Sequence, residues 1–321
     1  MAMDTNKIKL PVSIATEIIN KAKDTSTVAA LSPSSPQLFT NSEYLLFNGD
    51  AEAEVVGEGE VKGVHEYSTK TVVGKRVKVQ TTTRMTSEFK WADEDNQLQI
   101  LAQIRQDQAE ALGRALDYVV YHAINPKTGE ALTGYDALSA SAVQLESSGD
   151  IVYDIDAMVD ALNDTYDVNG LALSKKFASA MRKVRVPQTM ARFYPDVPLN
   201  LSVGQVEGIK AATSGTVSGR ICKTDPKTLA FLGDFSLIKW GMVRDLVSEI
   251  IEYGDPDQTG VDLKAHNQIA YRTEAVFAYT VIDPSAFVVL KGDGYAATGA
   301  FSMYTTADST VTTAAAKARK A

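Results

Sequence analysis

The chain has 321 residues, of which 45% are hydrophobic, with a formal net charge of -8 and a single cysteine. This length and apolar content suit about two packed domains and exclude disorder throughout the chain. The acidic balance argues against a protein that wraps DNA electrostatically, because affinity for phosphate rises with the number of Lys and Arg contacts. The lone Cys222 excludes an internal disulfide and is predicted to be a buried thiol.

The N-terminal 42 residues are predicted to form an arm. No apolar run approaches the roughly 20 residues that cross a bilayer, and the first residues lack a signal-peptide core, so we expect a soluble product made in the cytoplasm. A short helical pattern precedes a segment in which Pro33 and Pro36 favour extended backbone. Apolar residues such as Val28 and Leu31 suggest that the arm lies on a surface, which could belong to another subunit.

Residues 52–75 combine four glycines with dense charges of both signs. Such a stretch cannot pack a core by itself, and it predicts a protruding hairpin that meets a partner through polar contacts. The alternative is a mobile surface loop. The glycine spacing does not indicate a phosphate site, because no helix follows it and Glu58 and Glu60 would repel a pyrophosphate.

The next segment, from Arg76 to Thr86, alternates between two sets of side chains. Val77, Val79, Thr81, Thr83 and Met85 form one set, and Lys78, Gln80, Thr82, Arg84 and Thr86 form the other. This period of two predicts a strand with one covered face.

A long helix is predicted from about Asp95 to Ile124. An acidic run that ends at Asn96 suits the positive end of its dipole, an apolar stripe follows with spacings of three and four, and Asn125-Pro126 closes it. About 30 residues would span about 45 Å. Gly113 and a loose heptad register favour a spine for other elements over a coiled coil.

Residues 127–225 resemble a separate α/β region. Asp154 is predicted to cap one helix and Ser174 another, with a short strand around Ala172 between them. The segment from Thr213 to Gly219 is predicted to be a flexible loop. The basic run of Arg182, Lys183, Arg185 and Arg192 invites a nucleic-acid interpretation, but it has few aromatic neighbours for stacking, so a solvated or subunit-contacting loop is favoured.

From Leu229 onward the pattern predicts strands. Two short apolar segments flank a turn at Gly233-Asp234, a third strand runs from Leu246 to Tyr253, and a fourth from Gln268 to Ile282. Three to four antiparallel strands against the long helix would form a core layer. Residues 292–321 are small and polar, and their last ten or so are predicted to be disordered.

No catalytic constellation is evident. His65, His122 and His266 lie in different elements, and zinc, nucleophile-elbow and phosphate-loop motifs are absent. The segment from Asp255 to Asp262 has the acidic and glycine spacing of a calcium loop, but His266 stands where a bidentate Glu is needed, so a polar loop is predicted. A hydrolase that uses scattered carboxylates stays an open alternative.

In their order, several segments resemble the major capsid protein of tailed double-stranded DNA bacteriophages. The resemblance covers roughly residues 50–290 and is carried by Ala53-Glu-Val-Val-Gly-Glu-Gly59, the stretch from Lys75 to Phe89, the long helix with Leu116-Asp117, Phe231-Leu-Gly-Asp-Phe235, the stretch from Asn267 to Glu274 and that from Asp283 to Leu290.

The resemblance implies an α+β fold with the parts of a tailed-phage major capsid protein. These are an N-terminal arm (1–45), an extended loop, a β-hairpin, with its flanking strand (46–90), a peripheral domain with the spine helix and an antiparallel sheet (91–149 and 226–291), an axial α/β domain (150–225) and a C-terminal extension (292–321). By the same resemblance, the protein is a structural component of the virion, made in the host bacterial cytoplasm, without enzymatic activity or cofactor.

The resemblance also implies partners and an interface. Pentamers and hexamers of the chain would close an icosahedral shell around double-stranded DNA, without sequence-specific DNA binding or membrane contact, and with a separate scaffolding protein, a portal and a possible decoration protein as partners. An encapsulin-like bacterial compartment is the alternative. The expected interface residues in the extended loop are Glu58, Glu60, Lys62, Glu66, Lys70, Lys75 and Arg76. Lys62, Lys70 and Lys75 are candidates for an isopeptide crosslink by position only, and no acceptor is identifiable, so crosslinking is not expected.

Overall fold

A computed structural model describes residues 26–35, 43–48, 53–59, 61–64, 68–96, 100–186 and 189–295. The helices are α1 (Thr27–Leu31), α2 (Ser87–Asn96), α3 (Ile100–His122), α4 (Leu138–Ser141), α5 (Ile151–Asp160) and α6 (Lys175–Met181). The strands are β1 (Glu43–Asn48), β2 (Ser68–Val73), β3 (Lys75–Thr86), β4 (Val143–Glu146), β5 (Gly170–Leu173), β6 (Gln205–Val206), β7 (Ile209–Thr213), β8 (Thr228–Gly233), β9 (Ile238–Ile251), β10 (Gln268–Val281) and β11 (Phe287–Lys291).

These strands form three sheets. β1 and β2 make a two-stranded antiparallel ribbon, and β3, β10 and β9 make an antiparallel sheet in that order. The third sheet is mixed, with the order β4-β11-β8-β5-β7-β6, in which β4 and β7 run parallel to their neighbours β11 and β5. The fold therefore combines helices with both antiparallel and mixed sheets, as the α+β prediction expects.

The central strands of the mixed sheet are buried on both faces. Side chains along its central strands alternate between two apolar clusters: Phe231 and Val289 point into one cluster, which includes residues of α3, whereas Leu232 and Val288 point into the other, which includes residues of α5 and α6. A strand that is covered on both faces has a continuous run of apolar residues in its sequence. This explains why β8 and β11 lack the alternation of β3.

The spine helix is α3, whose 23 residues span about 35 Å. It starts later than predicted, because the acidic run that ends at Asn96 lies at the C-terminal end of α2 instead of opening the long helix. α2 follows β3 directly, and Phe89 in its first turn is buried against Met85 and Tyr271. At the other end, Ala123 adopts a positive φ of 49° and stops α3 just before Asn125.

The three-stranded sheet packs on α3 as the sequence predicts, but the strands after Leu229 do not form one layer. β8 and β11 belong to the mixed sheet, whereas β9 and β10 belong to the three-stranded sheet. The predicted second and third strands are one continuous strand, β9. Gln108 of α3 fastens the helix to the sheet, because its amide donates to Thr83 Oγ1 at 3.0 Å and accepts from Thr273 Oγ1 at 2.5 Å.

The described part of the arm lies on its own subunit. Val28 and Leu31 of α1 are buried in the cluster around α3, and Ser32 Oγ donates to the Ile238 carbonyl at 2.5 Å. Ser35 N donates to the Trp240 carbonyl at the edge of β9. The expectation that this surface could belong to another subunit is therefore wrong for residues 26–35, and the predicted helical pattern before them lies outside the described residues.

Two predictions in the α/β region need correction. α5 begins four residues earlier than expected, so Asp150 is its cap and Asp154 is buried inside it, where Ser148 N donates to its carboxylate at 2.8 Å. The segment from Thr213 to Gly219 is not a flexible loop, because Ser214, Thr216 and Val217 are fully buried against α3 and α1. The predicted cap at Ser174 and the strand at Ala172 are confirmed.

Candidate assembly surface

The extended loop is a longer ribbon than the sequence predicts. Glu43 pairs with Val73 and Asn48 with Ser68, so the hairpin starts at Glu43, before the predicted range of residues 52–75. Six paired residues extend about 20 Å at roughly 3.4 Å per residue. Residues 49–67 connect the two strands at the far end, and we call the described part of this connection, residues 53–59 and 61–64, the tip.

The tip exposes apolar side chains. Val55, Val61 and Val64 are 99%, 92% and 89% exposed. Local order comes from Gly63, whose N–H donates to Glu54 Oε2 at 2.8 Å, and from a turn that includes Gly59 at a positive φ of 85°. Burying a valine fully is worth about 1.5 kcal/mol or more, so the tip would gain stability from a surface that covers it.

The predicted interface residues separate into two groups. Glu58 and Lys62 lie exposed in the tip, and Lys70 lies exposed in β2. Lys75 and Arg76 lie at the other end of the ribbon, where β3 begins. Lys75 is half-buried and Arg76 is exposed. Glu60 and Glu66 lie outside the described residues. The structure thus places the two groups at opposite ends of the ribbon.

The base of the ribbon carries a cleft of about 560 Å³. Lys75 Nζ contacts Asp136 Oδ2 at 2.5 Å and lies 5.9 Å from the centre of the Tyr135 ring, whose hydroxyl donates to the Arg76 carbonyl at 2.7 Å. Lys78 Nζ contacts Glu274 at 2.9 Å. Sequence reasoning missed Tyr135, Asp136 and Lys78, because only the fold brings the segment after α3 beside β3.

The buried ionisable groups near α3 have structural partners. Asp117 is fully buried, and desolvation raises its pKa although hydrogen bonds from Ser26 and Thr216 oppose the shift. Burial lowers the pKa of His122 to about 4, against hydrogen bonds from its Nε2 to the Thr216 and Val217 carbonyls. These contacts hold α3, α1 and the segment after β7 together.

The thiol of Cys222 is half-buried, so the prediction of a buried thiol is only partly right. Burial is also the main cause that raises its pKa, which disfavours the nucleophilic thiolate.

The carboxylates of the segment with calcium-loop spacing hold the guanidinium of Arg84. The Arg84 guanidinium donates to both carboxylate oxygens of Asp257 from Nε, at 2.7 and 2.9 Å, and its Nη2 contacts Asp255. The alternation of β3 predicts Arg84 on the polar face, but this pairing buries it. Within the described residues, no group of three or more His, Cys, Asp or Glu side chains could hold a metal, and no helix could span a membrane.

Comparisons with known proteins identify the fold. A sequence model described as phage capsid protein matches residues 74–290. The chain belongs to the phage capsid protein family. A curated relative, the probable major capsid protein gp17 of Mycobacterium phage D29, is 25% identical over 307 residues, which cover 86% of this chain and 87% of the relative.

Solved structures agree with this family. A chain from Mycobacterium phage Ogopogo superposes with a TM-score of 0.77 at 33% identity, covering 91% of this chain and 99% of that one. A chain from Gordonia phage Cozz gives a TM-score of 0.74 at 27% identity, with 88% and 91% covered. The tailed-phage capsid fold and a role as a major capsid protein of the phage head shell are confirmed, and the encapsulin-like alternative is not favoured.

Proposed function

We propose that this phage capsid protein builds its shell as pentamers and hexamers in which the ribbon of one subunit lies across the next. The observation that carries the proposal is the tip, where three valines are almost fully exposed at the end of a ribbon with no buried residue among its described side chains. A projection that exposes three apolar side chains gains stability when a partner covers them.

Two parts of the fold suit two different positions in such a shell. We assign residues 91–149 and 226–291, with α3, β9 and β10, to the peripheral domain, and residues 150–225, with α5, α6 and β5 to β7, to the axial domain near the five-fold and six-fold axes. β8 comes just before β9 in the chain and β11 comes just after β10, but both belong to the mixed sheet. There β8 pairs with β5, so the two domains share this sheet. α3 contributes to the cluster that packs on both sheets, so the two regions would move as one body.

The remaining partners follow from the same proposal. A separate scaffolding protein would direct assembly in the host cytoplasm, a portal would occupy one vertex, a decoration protein could bind outside, and the shell would enclose double-stranded DNA without sequence-specific contacts. The net charge of -8 supports weak contact with phosphate. We assign no catalytic activity to the chain and expect no isopeptide crosslink from Lys62, Lys70 or Lys75.

Deleting the end of the ribbon tests the proposal. A variant lacking Gly57 to Tyr67 should fold, because no described residue in this stretch is buried, but should fail to form stable shells. Electron microscopy of assembly reactions measures shells, and circular dichroism of the subunits measures folding. A matched control shortens the exposed segment from Thr189 to Ala191, outside the ribbon. Normal shells from the ribbon deletion would contradict the proposal.

A further inference from the structure

We infer that a cavity between α4 and the last residues of β10 binds a small neutral molecule that combines an apolar part with hydroxyl groups. The cavity has a volume of about 210 Å³ and lies where the ribbon joins the centre of the subunit. It adjoins the larger cleft at the base of the ribbon, and Val73 and Lys75 line both. Such a site lies outside the proposed shell-building role and does not depend on it.

Two buried residues in the lining of the cavity have hydroxyl groups without a hydrogen-bond partner. Tyr279 and Thr280 are each 4% exposed, and neither Tyr279 Oη nor Thr280 Oγ1 has a partner among the described residues. A buried polar group without a partner costs free energy, and such groups are rare in folded proteins. Oxygen atoms of a bound molecule would supply the missing partners.

The phenol of Tyr279 is protonated at neutral pH. Burial, and then the nearby Tyr135 and Asp136, raise the pKa of this group above its ordinary value of 10. Asp136 also lines the cavity, so the phenol lies close to the cavity wall. A protonated phenol and a threonine hydroxyl can each donate and accept a hydrogen bond. Both groups therefore suit the hydroxyl groups of a ligand, which have the same capacity.

The charged residues of the lining neutralise each other. Lys75 and Asp136 are the charged residues in the described lining, and Lys75 Nζ contacts Asp136 Oδ2 at 2.5 Å. A ligand with a net charge would have to compete with this ion pair for either partner. A neutral ligand would leave the pair intact, which favours a molecule without charge.

The remaining walls are mainly apolar. Val72, Leu138, Val281 and Pro284 contribute to them. The volume is many times the roughly 10–15 Å³ that one ordered water needs, so the cavity admits a molecule of several non-hydrogen atoms. Apolar walls with a few placed polar groups are the usual composition of a small-molecule site. A six-carbon diol has this combination of size, neutrality and hydroxyl groups.

Titration with 1,2-hexanediol tests the site. The purified full-length subunit, before assembly, should bind this diol saturably at millimolar concentrations, as measured by saturation-transfer NMR. Tyr279→Phe and Thr280→Val each remove one hydroxyl and keep the shape of the side chain, so each should weaken binding about fivefold, the usual effect of one neutral hydrogen bond. Tyr253→Phe changes an exposed tyrosine outside the cavity and should leave binding unchanged.

Two further measurements distinguish a ligand site from a pocket of water. Without diol, Tyr279→Phe and Thr280→Val should leave the Tm of the subunit unchanged or raise it, because each removes a buried hydroxyl that has no partner. Ser141→Phe adds a large side chain from the exposed side of the cavity and should abolish diol binding.

The outcomes decide between the alternatives. Saturable binding that both hydroxyl substitutions weaken and Ser141→Phe abolishes supports the site. A lower Tm in both hydroxyl variants, together with no saturable binding to the wild type, would show that ordered water alone satisfies these groups. Binding that Tyr279→Phe and Thr280→Val leave unaltered would overturn the assignment of the hydroxyls.

Discussion

At the scale of single residues, the buried Asp117 carboxylate joins three segments that lie far apart in the chain. It accepts hydrogen bonds from Ser26 Oγ at 2.6 Å, Thr27 N at 2.8 Å and Val28 N at 3.1 Å, which fixes the N-terminus of α1 on α3. Thr216 Oγ1 donates to the same carboxylate at 2.5 Å. A side chain that only accepts is needed here, because all of its neighbours donate.

Asp117→Asn should destabilise the subunit. The amide group replaces one acceptor by a donor and leaves buried donors without a partner, at a cost of at least about 2 kcal/mol. Urea unfolding of unassembled subunits measures the free energy. Asp136→Asn is the control, because its ion pair with Lys75 lies at the surface and should contribute less than about 1 kcal/mol. Equal effects of the two substitutions would contradict the role of Asp117.

His122 should make the subunit sensitive to mild acid. Its pKa is near 4 in the folded state, mainly because of burial, against an ordinary value of 6.5. Below pH 6.5 the unfolded chain therefore binds a proton that the folded chain does not, so stability falls as the pH drops from about 6.5 to 4, by about 3 kcal/mol in all. Unfolding of the wild type at several pH values measures this slope.

Two substitutions test whether His122 causes this dependence of stability on pH. His122→Gln removes the titrating group and should flatten the pH dependence in this window. His266→Gln, at an exposed position, should leave it unchanged. An unaltered slope in His122→Gln would show that another group causes the acid sensitivity.

At the scale of elements, the segment between β9 and β10 is held by Arg84 of β3. Besides its two carboxylate partners, Arg84 donates from Nη1 to the Val261 carbonyl at 3.0 Å, and Asp255 accepts from Gly260 N at 2.6 Å. The planar guanidinium serves these acceptors together, which a lysine cannot do.

Arg84→Lys should therefore loosen this segment without unfolding the sheet. Hydrogen exchange of residues 252–267 should become faster, while that of β10 stays slow. Lys223→Arg changes a cation of the exposed pair with Glu130 and serves as the control. Unchanged exchange in the Arg84 variant would mean that the segment is ordered without the guanidinium.

Sequence reasoning succeeded for elements with a single covered face. Alternation predicts β3, and an apolar stripe predicts α3, because one side of each meets water. It failed where polar residues are buried by distant partners: Arg84 and Thr216 look like surface residues until Asp257 and Asp117 are placed beside them. The division of the C-terminal strands between two sheets was also out of reach, since nothing local separates β8 from β9.

The predicted interface is a second case in which the sequence does not show which distant residues meet. The glycines and charges of the tip indicate a projection, but the cleft at the base of the ribbon also includes Tyr135, which only the fold brings next to Arg76. Pairing of β1 with β2 places tip and cleft at opposite ends of one ribbon. That separation cannot be seen in the sequence, where all the charges lie in one continuous stretch.

At the scale of the whole molecule, the subunit has a closely packed centre and a projecting ribbon. α3 packs against both larger sheets, whereas the described ribbon residues are exposed or half-buried. A subunit of this shape is complete as a folded unit but leaves apolar surface for its neighbours. In the proposed assembly, neighbours cover the ribbon and thereby stabilise it, and the packed centre sets the geometry of the ring.

The most direct test of the shell-building account is electron microscopy of the purified full-length chain under assembly conditions, as the reference for the ribbon deletion. Rings and closed shells should form from this single polypeptide, with or without a scaffolding protein. Purified protein that stays monomeric under every condition would contradict the shell-building role.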